Sequence, residues 1–173
     1  MSDSGAKPKP RPKRGSPRSG AVARSSARTA AVQALYQMDL AGTALNEVID
    51  EFVHHRLPVS DEDEAPAEAD TTFFAEILRG VVRRQLDIDP MIDQALASGW
   101  RLVRVDSILR ATLRGGVYEL LERPDVPARV VINEYINVAH AFFSEDEPKV
   151  VNGILDRLAR KLRPAEFEVD KGA

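Results

Sequence analysis

The chain has 173 residues, 43% of them hydrophobic and 29% charged, enough for one domain with a sizeable core. It contains no cysteine, which excludes a disulfide framework, a thiol nucleophile and a cysteine-bound zinc or iron–sulfur site. The net charge of −3 hides an asymmetry: residues 4–38 carry eight Lys or Arg and no acid, leaving 16 bases and all 27 acids elsewhere.

From Lys7 the chain reads KPKPRPKRGSPRSG, where proline, glycine and like charges oppose both helix formation and core burial. Residues 1–22 are therefore expected to form a disordered basic arm. A first helix is expected from Ser25 or Ser26, either able to cap it. Its stripe is Ala27, Ala31, Leu35 and Met38, and Gly42 ends it. A second helix is expected from Ala44 to Arg56. Residues 61–70 hold six acids and Pro66 and read as a solvated loop. Thr71 or Thr72 then caps a helix carrying Phe73, Phe74, Ile77, Leu78 and Val81. Asp89-Pro90 reads as the cap and first position of a further helix.

Trp100 opens the second half. Three more helices are expected, over 105–122, 128–143 and 148–162, the first with Gly115-Gly116 inside it. Two interior glycines disfavour a helix by roughly 1 kcal/mol each against alanine, so a neighbouring helix is expected to pass close there. No segment alternates with period two. The reading is all-α: about seven helices in two small bundle subdomains, 23–98 and 99–164, with a flexible tail over 165–173.

Catalytic constellations are absent from the sequence: no phosphate-binding glycine loop, no GxSxG and no HExxH. One Glu-x-x-His pair, Glu51 and His54, falls short of a di-iron site, which needs repeated pairs. Glu134 reads as a structural carboxylate. No catalytic residue, metal or cofactor is therefore assigned. No apolar run approaches the roughly 20 residues needed to cross a bilayer, and a reducing cytoplasm is the expected compartment.

Two features point to RNA. Arg24 and Arg28, four residues apart, share a helix face at what this reading takes as the positive end of the helix dipole. A polyanion would resolve that mismatch; ion pairing with the acidic body is the alternative. Near the last helix, Phe142, Phe143 and Lys149 combine aromatic rings with a cation, which suits single-stranded RNA.

Four stretches carry a resemblance to the NusB family: ARTAAVQALYQ at 27–37, LRGGVYELL at 113–121, VPARVVINE at 126–134 and KVVNGILD at 149–156. Trp100 and Arg104 precede the second at the family's spacing. The resemblance implies a non-enzymatic antitermination factor that binds the boxA element of rRNA leader transcripts. It does so with a small-subunit ribosomal protein, called NusE in this role, and through it meets other Nus factors and RNA polymerase. Carried over by motif, the RNA surface comprises Arg24, Arg28, Phe142, Asp146, Lys149 and Asn152. Ser25 and Ser26 stand where arginine is common in the family, which shifts some contact to the arm and adds Arg18. A homodimer is left open. The alternatives are an accessory domain of an rRNA-modifying enzyme and a purely protein-interaction module.

Overall fold

The computed structural model describes residues 17–57, 70–97 and 99–168, with side chains from Gly20 onward. Six α-helices make up the described residues: α1 (Pro17–Ala41), α2 (Leu45–Glu51), α3 (Thr71–Ala95), α4 (Ser107–Glu122), α5 (Ala128–Phe142) and α6 (Glu147–Leu162). The last turn of the expected second helix widens into a π-turn, Phe52–Arg56. Short 3₁₀ turns cover Leu102–Arg104 and Pro164–Glu166.

The helix starts follow side-chain chemistry. Asp70, one residue before the expected threonines, caps α3 by accepting the Phe73 N–H at 2.9 Å. Asp106 caps α4, accepting from Ile108 and Leu109. The Glu166 carboxylate accepts the Ala128 N–H at the start of α5. At the other end, the Arg163 guanidinium donates to the carbonyls of Glu119, Leu120, Arg123 and Val126, covering the C-terminal carbonyls of α4.

Three expectations change. α1 begins at Pro17, two turns before Ser25, so residues 17–22 are helical; residues 1–16 lie outside the described part. Proline at a first helical position needs no N–H partner. The helices expected on either side of Asp89-Pro90 are one helix, α3, with Pro90 inside it. Ile88 and Ile92 are both fully buried, and Asp89, instead of capping, takes a bidentate pair from Arg114 of α4 at 2.8 and 2.9 Å. Tertiary packing thus outweighs the lost backbone bond. The described part of the tail, residues 165–168, docks: Phe167 is buried, with the Arg160 guanidinium 4.7 Å from its ring centroid, and residues 169–173 lie outside the described residues. The acidic loop lies outside the described residues except for Asp70.

α4 is the central helix, packing on α1, α3, α5 and α6, and one hydrophobic cluster runs through both halves of the chain. The glycines explain how neighbours come so close. A Cβ at Gly115 would lie 2.8 Å from the Tyr135 ring of α5, and one at Gly116 2.7 Å from Leu155 of α6. The close approach expected at this pair is what the structure shows. A Cβ at Gly80 of α3 would lie 2.0 Å from the Tyr118 ring.

Gly116→Ala is expected to lower stability by about 1–3 kcal/mol through overpacking. Gly153→Ala, whose Cβ meets open space in α6, is expected to gain up to about 1 kcal/mol. Urea midpoints at unchanged slope would check both. Burial, reinforced by the charge of Glu76, pushes the Tyr118 hydroxyl up from 10.0 to about 12. The unfolded chain then ionises first, so the contribution is intact below pH 10 and is lost as pH rises from 10 to 12. Denaturation across that range should show the decline, and Tyr118→Phe should flatten it.

Candidate nucleic-acid interface

The first half of the candidate surface lies where α1 crosses the start of α5. With α1 starting at Pro17, Arg24 and Arg28 sit in the second and third turns, away from the dipole's positive end, which acts only within the first turn. They share a stripe but not a depth. Both line a hollow with Asp125, Val126, Pro127 and Glu134. Arg24 is exposed at its rim and makes no ion pair among the described residues.

Arg28 is buried, with 3% of its side chain exposed, against a Glu119 carboxylate that is fully buried. Its Nε and Nη2 donate to Glu119 at 2.8 and 2.9 Å, a bidentate pair. Nη1 lies 3.5 Å from Glu134, and the guanidinium stands 5.0 Å from the Phe73 ring centroid. Desolvation by itself would lower the Arg28 pKa; the hydrogen bond it donates to Glu119, and the Glu119 charge, outweigh it and hold the group above its ordinary value. Burial, then the charge of Glu119, likewise keeps the Tyr135 hydroxyl well above the tyrosine range. Against the expected direct RNA contact at Arg28 stands its geometry: every guanidinium nitrogen faces a protein carboxylate, as the ion-pairing alternative describes.

Arg123 shares the Phe73 ring with Arg28. It pairs with Glu76 at 3.0 Å and with Asp125 at 2.9 Å, and its guanidinium also stands 5.0 Å from Phe73. The hydrogen bond from Arg123 pulls the Asp125 carboxyl down to about 2, with the charge of Arg24 helping. The Ser25 hydroxyl, expected as a cap, donates to Glu134 at 2.8 Å and ties α1 to α5.

The second half lies where α5 gives way to α6. Asp146 and Lys149 are almost fully exposed, at 88% and 86%, and lie 3.8 Å apart. Asn152 is exposed one turn further along α6. Phe142 is half-buried in the wall of a groove with Tyr36, Leu40, Arg56 and Ile108. Arg18 lies on the first turn of α1, and its side chain is outside the described residues.

The two halves are joined along the α1–α5 seam. Arg24 meets the start of α5, whereas Tyr36 meets its end at Phe142. Those twelve residues of α1 span about 18 Å at about 1.5 Å each. Between them α5 exposes Asn133, Asn137 and His140, which share one helix face by their spacing. These hydrogen-bonding groups were not among the expected contacts, although the spacing was readable. Glu119 was likewise missed, as an ordinary acid inside an apolar stretch. Among the described residues no cluster of metal-ligating side chains forms, and no helix is long and apolar enough to cross a membrane.

The family model described as the NusB family matches residues 25–160. The chain belongs to the NusB family. Among similar proteins, the transcription antitermination protein NusB of Allorhizobium ampelinum is 55% identical over 140 residues, 81% of this chain and 88% of that one. That of a Bradyrhizobium species is 50% identical over 167 residues, 96% and 98% of the two chains. A solved T. maritima NusB superposes with a TM-score of 0.68 at 30% identity, covering 84% of this chain and 96% of that one. A crystal structure of the antitermination factors NusB and NusE in complex with dsRNA gives 0.67 at 25% identity, covering 80% and 97%. The family is non-enzymatic and acts in transcription antitermination.

Removing one partner of the buried pair strands the other charge. Arg28→Met is expected to cost about 3–5 kcal/mol, and the double variant Arg28→Met/Glu119→Met to recover most of it. Thermal or urea unfolding of the three proteins gives the coupling energy directly.

Proposed function

We propose that this protein binds the boxA element of rRNA leader transcripts as single-stranded RNA, together with a NusE-type small-subunit ribosomal protein, and so prevents premature termination in rRNA operons. The observation that carries the reading is a seam with an exposed cation at each end, Arg24 at one and Lys149, beside Asp146, at the other, joined by exposed Asn133, Asn137, His140 and Asn152. Family membership supports RNA and NusE-type partners, as does the fold shared with a NusB that has been crystallised with NusE and dsRNA.

The chemistry divides along the seam. The cations neutralise phosphates and set affinity; the amides and the Asp146 carboxylate offer donors and acceptors to base edges. Unpaired bases expose those edges, whereas an A-form duplex buries them in a groove side chains do not read. That favours a single-stranded element. The basic residues 7–18 add long-range attraction and raise the encounter rate. Arg28 acts as a positioning residue, fixing the face that presents Arg24. The NusE-type partner then reads a second surface, leaving the seam open to RNA.

Binding of boxA RNA measured against salt tests this. Arg24→Ala and Lys149→Ala should each weaken binding and flatten the log–log salt slope by about 0.7 per lost phosphate contact. Removing residues 1–16 should flatten it further while preserving the preference for boxA over an unrelated single strand. Equal affinity for boxA and an unrelated strand, or slopes unmoved by both substitutions, would contradict the proposal.

A further inference from the structure

Trp100 is the only tryptophan in the chain, and 58% of it is exposed. It stands in the turn between α3 and the Leu102–Arg104 3₁₀ helix, outside the seam described above. An indole is large and apolar, so leaving most of it in water forgoes much of the burial energy a tryptophan normally supplies. Two hollows adjoin it. One is lined by Trp100 with Ala97, Val150, Gly153, Ile154 and Arg157; the other by Trp100 with Pro90, Gln94 and Arg101. Each hollow therefore sets one arginine beside the same aromatic ring.

Those arginines are free for an anion. Arg101 makes no ion pair among the described residues. Arg157 is anchored by donating to the Ala95 carbonyl at 3.1 Å, again without an acid partner. Of the nearby acids, Asp93 also lines the Arg101 hollow, where one of its oxygens accepts the Leu102 N–H at 2.8 Å, and Asp156 pairs with Arg160 at 3.0 Å. Gly153 leaves the α6 wall of its hollow open, with nothing within 4 Å of a Cβ placed there. The hollow is also continuous with the proposed RNA surface, since Gly153 follows Lys149 by one turn of α6 and adjoins Asn152.

We propose that Trp100 is a stacking platform for an unpaired nucleobase, with Arg157 and Arg101 taking the flanking phosphates, so that bound single-stranded RNA runs on past Lys149 and Asn152 along α6. This inference rests on the RNA-binding reading and extends the site beyond the seam. An exposed ring between two cations matches the alternation of base and phosphate in a single strand.

The single tryptophan makes the test direct. A boxA oligonucleotide labelled at one end is titrated into the full chain, and anisotropy of the label and intrinsic emission of Trp100 are followed together. Stacking should quench Trp100 saturably, with the same midpoint as the anisotropy, and shield it from acrylamide. Trp100→Ala should weaken binding about 5- to 100-fold, and Trp100→Phe should retain most of it. Anisotropy that saturates with unchanged Trp100 emission and quenching overturns the platform while leaving RNA binding intact. Emission that answers only to an added NusE-type ribosomal protein assigns the patch to protein and also overturns it. No anisotropy change with any RNA overturns the RNA-binding reading and this inference together.

Discussion

A guanidinium and a carboxylate meet out of water between α1 and α4. Taking either ion from water costs several kcal/mol after relaxation, and the attraction offsets this only when geometry is good and remaining donors are satisfied. Arg28 and Glu119 meet those terms: two parallel hydrogen bonds, Glu134 near the third nitrogen and the Phe73 ring beside the guanidinium. The pair is directional where the surrounding apolar contacts are not. It fixes the rotation of α1 about its own axis, and with it the outward aim of Arg24 four residues earlier. Ser25 to Glu134 adds the matching tie to α5.

The same α4 that supplies Glu119 is where the fold is tightest. Gly115 and Gly116 let α5 and α6 approach on two sides, and Gly80 of α3 accepts the Tyr118 ring on another. Because α4 touches four other helices, errors in its packing propagate to both ends of the seam. The seam is thus built from rigid helices, and its exposed residues need little ordering when they meet a ligand. That suits recognition of a flexible strand, which already loses conformational freedom of its own.

Much of this was readable beforehand. Apolar periodicity located the helical cores, and the costly Gly115-Gly116 pair pointed to a close helix crossing. Lys149, Asp146 and Asn152, named from the motif, are all exposed. What was hidden depends on tertiary partners. Arg28 pairs with a residue 91 positions away, which no local spacing reveals. α3 continues through Pro90 because Ile88, Ile92 and Asp89 all have partners elsewhere in the fold. α1 starts early although its first turns contain Gly20, and its Ala23 carbonyl accepts the Asp70 N–H at 3.1 Å across to α3. Local propensity sets a weak prior, and these contacts override it.

The division between a buried arginine that positions and exposed groups that touch RNA is the core of this account. Residue-level crosslinking of boxA RNA, with and without a NusE-type partner, probes it most directly. Crosslinks are expected at Arg24, Asn137, Lys149 and Asn152, with none at Arg28 or Glu119. A crosslink at Arg28, or labelling confined to the arm with the α1–α5 seam untouched, would contradict it.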